Sequence, residues 1–188
     1  MILILTSARL KSIMQFKDPE RVLDQFVLGE GRIVADFGAG SGAYTLASAR
    51  RVGGEGKVYA IDIQRDLLNR LKNTATQARL HNVQIVWGDV EKQGGSQLKD
   101  ASADVAIISN ILFQAEDKSA IAREAHRILK KEGRALLVEW ADSGTLGPSG
   151  EHLVSKDDAR HIFENSHFSF EREINAGSHH YGMVFRKI

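Results

Sequence analysis

Val34-Ala35-Asp36-Phe37-Gly38-Ala39-Gly40-Ser41-Gly42 is the stretch on which the fold turns. An apolar run, Arg32 to Phe37, suits a buried parallel strand. It leads directly into alternating glycines, and residues Ala43 to Val52 then fit a helix. A glycine-rich turn between a strand and a helix lets the backbone approach a ligand closely. Gly38-Ala39-Gly40-Ser41-Gly42-Ala43 also satisfies the dinucleotide pattern G-x-G-x-x-G/A, which by itself is a weak signal.

Working outward, strands alternate with helices. Lys57 to Ile63 reads as a second strand, and Leu67, Leu68, Leu71, Ala75 and Ala78 mark the amphipathic helix behind it. Val83 to Trp87 is a third strand, ended by Gly88-Asp89. Val105 to Ser109 is a fourth, and Ile121, Ala125, Ile128 and Leu129 mark the next helix. Arg134 to Trp140 is a fifth strand, followed by a Gly/Ser-rich loop from Asp142 to Gly150. Ser155 caps a helix reaching to about Asn165, and Phe168 to Ile174 and Tyr181 to Ile188 are closing strands. Toward the N-terminus, Asp18-Pro19-Glu20 starts a helix with Val22, Leu23, Phe26 and Val27 on one face, ended by Gly29-Glu30-Gly31. This alternation predicts an α/β fold with a mainly parallel sheet covered on both faces. In such sheets the ligand sits beyond the carboxyl ends of the strands.

Composition sets the outer limits. A chain of 188 residues with 43% hydrophobic and 26% charged residues can bury one sizeable core and is unlike a disordered chain. We expect a single domain over residues 1–188, with residues 1–30 as an N-terminal helical segment forming a lid around Met14 and Phe16. Lys plus Arg is 25 against 24 Asp plus Glu, which argues against a strongly basic nucleic-acid binder. The absence of cysteine excludes disulfides, thiolate metal sites and cysteine nucleophiles. The apolar run Met1 to Leu5 is too short for a membrane span or signal-peptide core, so a cytoplasmic location is the expectation.

Two acidic residues say what the glycine loop holds. Asp62 ends the second strand, 20 residues after Gly42, where a carboxylate can accept from both ribose hydroxyls. A nucleoside-containing cofactor follows. Asp36, just before the first glycine, would oppose a pyrophosphate but suit an ammonium or a sulfonium, which turns the reading away from a nicotinamide dinucleotide. Gly88-Asp89 lies where an adenine amine could donate.

With those residues in place the sequence resembles the class I S-adenosylmethionine-dependent methyltransferases. DFGAGSG (36–42) matches their first motif, VYAIDI (58–63) the acidic second-strand motif and GDVE (88–91) the motif after the third strand. ADVAIISNIL (103–112) and LKKEGRALLVEW (129–140) resemble the fourth and fifth. The resemblance runs from about Asp18 to the C-terminus, nearest the ubiquinone/menaquinone-biosynthesis branch. It implies a Rossmann-like three-layer sandwich: a mostly parallel seven-stranded sheet with the last strand antiparallel. It implies S-adenosylmethionine as cofactor. Asp36, Gly38, Ala39, Gly40 and Gly42 would border the methionine part, Asp62 would hold the ribose, and Ile63 would pack on the adenine. Asp89 would receive the adenine amine, with Gly88 and Val90 beside it at the cofactor, and the Asn110 backbone would lie near the methionine amino group. Lys131-Glu132-Gly133 stands where the family usually carries Pro-Gly-Gly.

The function so implied is methyl transfer by in-line displacement, with a small organic molecule as the first choice of acceptor. Alternatives are an RNA or protein acceptor, so nucleic acid stays open, or a S-adenosylmethionine-binding partner subunit without activity. Oligomeric state is left open. Ser109-Asn110-Ile111-Leu112 is not the N/D-P-P-Y/F motif of familiar adenine-amine or glutamine-amide methylation, and the missing cysteine argues against cytosine-C5 and cysteine-dependent arsenite chemistry. Candidate bases are His179, His180 and Tyr181, although adjacent strand residues point to opposite faces. Phe113 and Trp140 are candidate acceptor contacts. His152, His161, His167, His179 and His180 lack metal-binding spacing, so no metal is expected.

Overall fold

A computed structural model describes residues 18–142, 148 and 150–188. The expected lid residues Met14 and Phe16, and most of the loop from Asp142 to Gly150, lie outside the described residues. The chain forms β1 (Ile33–Phe37), β2 (Lys57–Asp62), β3 (Val83–Trp87), β4 (Ala103–Ser109), β5 (Leu129–Trp140), β6 (Phe168–Asn175) and β7 (His180–Lys187). The helices are α1 (Pro19–Phe26), α2 (Ala43–Val52), α3 (Arg65–Gln77), α4 (Lys118–Ile128) and α5 (Lys156–Glu164).

The strands make one seven-stranded sheet in the order β3-β2-β1-β4-β5-β7-β6. Strands β1 to β5 pair in parallel, and β7 runs antiparallel to both β5 and β6. The expected architecture is therefore the observed one. Strand β1 lies between β2 and β4, so the chain winds away from it in both directions. That arrangement opens a crevice at the carboxyl ends of β1 and β4.

Both faces of the sheet are buried. Phe37, Ile108, Leu137 and Phe185 pack with α4 and α5 residues such as Ile121, Ile128 and Phe163. On the other face Val34, Ile107, Leu136 and Val184 pack with Val22, Leu23 and Phe26 of α1 and with Tyr44 and Ala47 of α2. Asp18 caps α1 by accepting from the Glu20 and Arg21 amides, with Pro19 in the first turn. Ser155 likewise caps α5 by accepting from the Asp158 amide.

Several boundaries differ from the expectation, and two of the differences change what a residue does. Val27 does not join the buried face of α1. It closes the helix in the left-handed region at φ 62, donates to Leu23 and Asp24 carbonyls, and is 79% exposed. Helical spacing cannot register that the chain has already turned out of the helix. Leu129 is not the last apolar residue of α4 but the first of β5, paired with Ala103. The register then jumps to Val105↔Arg134, with Glu132 at φ 63 absorbing the extra residues as a bulge.

Candidate functional site

A cleft of about 430 Å³ opens at the carboxyl ends of β1, β2 and β4 and the loops that follow them and β3. It lies where the order of the strands reverses. Ten of the residues expected around a cofactor line it: Asp36, Gly38, Ala39, Gly40, Asp62, Ile63, Gly88, Asp89, Val90 and Asn110.

Asp62 organises the floor. Its Oδ2 accepts from the Gly40 amide at 2.8 Å, and its Oδ1 accepts from the Gln64 amide at 2.8 Å. The carboxylate thus ties the glycine loop to the tip of β2 while its side chain lines the cleft. The Gly88 amide donates to the Asp62 carbonyl, which brings the end of β3 alongside. Asp89 accepts from the Glu91 amide and pairs with Lys92 at 3.2 Å. Asp36 is buried at the end of β1 and accepts from the Thr45 hydroxyl at 2.5 Å.

Gly42 is the expected residue that does not line the cleft. It precedes α2 at φ 85, and a Cβ there would stand 2.1 Å from Leu71 Cδ1. Its glycine is required by the left-handed backbone and by the packing of α2 against α3. Gly40 has the opposite reason. It takes φ 54, but a Cβ there would meet nothing closer than the Gly38 carbonyl oxygen at 3.8 Å. The space beside Gly40 belongs to the cleft.

The structure adds Ser41, Tyr44, Gln64, Leu67, Glu91, Ser109, Ile111 and Gln114 to the lining. Tyr44 sits in the first turn of α2, and Ser109 ends β4. Burial, then the charges of Asp36 and Asp18, push the Tyr44 hydroxyl well above its ordinary range, against a hydrogen bond with Ser109. Adjacency to the glycine loop was the available signal for Tyr44. Glu91 closes the GDVE motif, whereas Gln114 arrives through the folding of the turn after β4, which local pattern does not encode. Among the described residues the cleft is lined by four carboxylates, Asp36, Asp62, Asp89 and Glu91, and by no Lys, Arg or His.

The three candidate bases are placed apart. Tyr181 is buried, and its hydroxyl donates to the Val154 carbonyl at 2.9 Å, away from the cleft. Burial, then the Glu139 charge, raises its pKa. His179 faces the Asp142 carboxylate through Nδ1 at 3.0 Å. His180 is buried, its ring lies tilted against that of Trp140 at 4.2 Å between centroids, and it reaches the cleft-lining Asn110, with Nε2 3.1 Å from Asn110 Nδ2. Phe113 is half-buried in the turn after β4 and does not line the cleft; its neighbour Gln114 does.

Glu139 escaped the sequence reading. It is buried at the end of β5 and accepts from the Leu112 amide at 2.8 Å and the Trp140 amide at 3.3 Å. It therefore fixes the turn after β4 from which Asn110 and Gln114 reach the cleft. Among the described residues no group of three metal-ligating side chains gathers, and no helix is long and apolar enough to cross a membrane.

Comparison with known proteins gives a consistent result. A family model described as a methyltransferase domain matches residues 28–174. A demethylmenaquinone methyltransferase from Geobacillus stearothermophilus is 27% identical over 143 residues, 74% of this chain and 60% of that protein. An arsenite methyltransferase from Aquipseudomonas alcaligenes is 32% identical over 108 residues, 55% of this chain and 31% of that one. The chain thus spans 60% or less of the length of these curated relatives. The crystal structure of a S-adenosylmethionine-dependent methyltransferase from Aquifex aeolicus superposes with a TM-score of 0.85 at 25% identity, covering 98% of this chain and all of that one.

Proposed function

The chain belongs to the methyltransferase-domain family, and from that premise we propose that it transfers a methyl group from S-adenosylmethionine to a small organic acceptor. One observation carries the cofactor choice. The glycine-loop cleft presents Asp36, Asp62, Asp89 and Glu91 and no cation from the described residues. A pyrophosphate would meet repulsion there that only the Lys92 partner of Asp89 offsets among the described residues, whereas a ligand bearing an ammonium and a sulfonium is attracted. The cleft's volume is that of an ordinary small-ligand site.

In this reading Asp62 uses its remaining lone pairs to accept from the ribose hydroxyls. Ile63 packs on the adenine and Asp89 accepts from its amine, with Gly88 and Val90 beside it. The backbone from Gly38 to Gly40, Asp36 and the Asn110 corner surround the methionine end. When bound, S-adenosylmethionine would supply a methyl carbon for in-line attack by an electron pair of the acceptor, whether on O, N, C or S, with the carbon–sulfur bond pair leaving on sulfur. The protein's contribution is positioning and the exclusion of water. The acceptor approaches beside Asn110, from the side of His180 and Trp140. A small, uncharged or cationic acceptor suits the acidic lining. The quinone-precursor and arsenic substrates named for the relatives are both small molecules, which supports that class. The same proposal takes residues 1–188 as one domain working in the cytoplasm.

Calorimetric titration with S-adenosylmethionine, S-adenosylhomocysteine and NADH tests this. Micromolar binding of the first two and none of NADH is the expected result. Binding of NADH alone overturns the cofactor assignment. Binding without turnover of any of a panel of small acceptors points to the non-catalytic subunit instead.

A further inference from the structure

Besides a 3.5 Å bond from Gln114 Nε2 to the Asn110 carbonyl, three contacts among the described residues hold the corner at Asn110. Its own amide donates to the Val138 carbonyl at 2.9 Å, and two residues on, the Leu112 amide donates to Glu139 at 2.8 Å. Both are β5 contacts. The third comes from β7: the Asn110 amide nitrogen Nδ2 lies 3.1 Å from His180 Nε2. Asn110 itself is in the left-handed region, at φ 54, directly after β4. A corner of that shape needs outside support to keep one geometry.

We propose that His180 is the positioning residue of this corner, acting through Asn110 on the methionine end of the cofactor cleft; the proposal rests on the cofactor reading above. His180 is well built for such a role. It is buried, paired in register with Trp140 across β5 and β7, and its ring lies against the Trp140 ring at an interplanar angle of 35°. With Asn110 Nδ2 donating, His180 Nε2 accepts, which places the ring proton on Nδ1. Protonation would place a second hydrogen between two donors and release the corner. The strand from β7 would then act on a site to which it contributes no lining residue.

On β5 and β7, Glu139 and Tyr181 alternate to the opposite sheet face, and His179 faces Asp142. Among the described residues on the His180 face of the sheet, Asp36 ends β1 and accepts from Thr45, and Tyr44 in α2 feels the charges of Asp36 and Asp18.

The test measures S-adenosylmethionine affinity of the full chain by calorimetry between roughly pH 8 and pH 5.5, the interval in which imidazoles titrate. Wild type is expected to weaken on acidification. His180→Phe keeps a ring beside Trp140 but no acceptor. It should bind roughly three- to tenfold more weakly at pH 8, the size of one lost hydrogen bond, and lose the excess pH dependence. His180→Gln offers a non-titrating acceptor and should recover most of the affinity with a flat profile. Asn110→Gly preserves the left-handed corner, and combined with His180→Phe it should add little further loss. Absence of wild-type binding at pH 8 sinks the cofactor reading and this inference with it. Normal binding with identical pH profiles in wild type and His180→Phe overturns the positioning role alone. Additive losses in the double variant overturn it too.

Discussion

Two buried carboxylates, Asp62 in the cleft and Glu124 behind it, begin from similar chemistry and end in different work. Both are nearly inaccessible to solvent, at 7% and 2% exposure, and both accept from two backbone amides. Glu124 also accepts from the Ser96 hydroxyl and a two-pronged Arg127 guanidinium at 2.7 and 2.9 Å, and Arg127 reaches on to Asp100. Its oxygens are fully used in tying α4 to the loop between β3 and β4. Asp62 receives backbone donors and faces a cleft with no lining cation among the described residues. The lesson is that burial of a carboxylate does not mark a site. What marks it is whether the protein itself saturates the charge or leaves acceptor capacity turned toward a ligand.

The largest effect expected from breaking this contrast is on Glu124. Glu124→Ala leaves the Arg127 charge with its principal partner gone and should cost about 3–5 kcal/mol of stability. Chemical denaturation would read that loss, while affinity for S-adenosylmethionine in the folded fraction should be little changed. A comparable loss of cofactor affinity at full stability would mean that the clamp belongs to the site.

Acid should dissolve the same clamp. Burial alone would raise the Glu124 carboxyl, but the Arg127 hydrogen bonds, then those of Ser96 and Gly94, overcome it and hold the group at about 2 against an ordinary 4.5. A depressed carboxylate stabilises the fold above its unfolded pKa. The contribution, about 3 kcal/mol, is lost as pH falls from about 4.5 to about 2. Denaturation midpoints of wild type and Glu124→Gln measured across that interval should converge at the acid end; parallel curves would refute the assignment.

Asp62→Ala should show the reverse pattern. Loss of charge-assisted ribose bonds should weaken S-adenosylmethionine binding by about 1.5–3 kcal/mol. The melting temperature should fall less than in Glu124→Ala. Unchanged affinity in a folded variant would remove Asp62 from the cofactor site. The smallest effect lies far from either carboxylate. Val27 holds a left-handed, exposed position that disfavours a β-branched side chain. Val27→Gly should stabilise the fold by about 1 kcal/mol, after the entropy of glycine is set against the relieved strain. A lowered melting temperature would show that the side chain makes contacts worth more than the strain.

Asp62 was legible in the sequence and Glu124 was not, for a reason that extends to the rest of the molecule. Asp62 ends an apolar run at a set distance from a glycine loop, so its position follows from local pattern. Glu124 occupies an ordinary helical position, and its partners Gly94 and Ser96 arrive from 30 and 28 residues away. Likewise the glycine loop announced the cleft, but which glycine serves it was not readable. Gly40 borders the cleft and Gly42 packs on Leu71, and only the placement of α3 separates them.

The sequence by itself determined the alternation of strands and helices, the two-faced core and the acidic glycine-loop cleft, because each is written in spacing over a few residues. The tertiary structure decided which half of the sheet does what. His179, His180 and Tyr181 are consecutive in the chain, yet strand pairing and side-chain alternation turn Tyr181 into the core, His179 to Asp142 and His180 to Asn110. Contacts between residues 70 apart, such as His180 with Asn110, exist only once the sheet has closed.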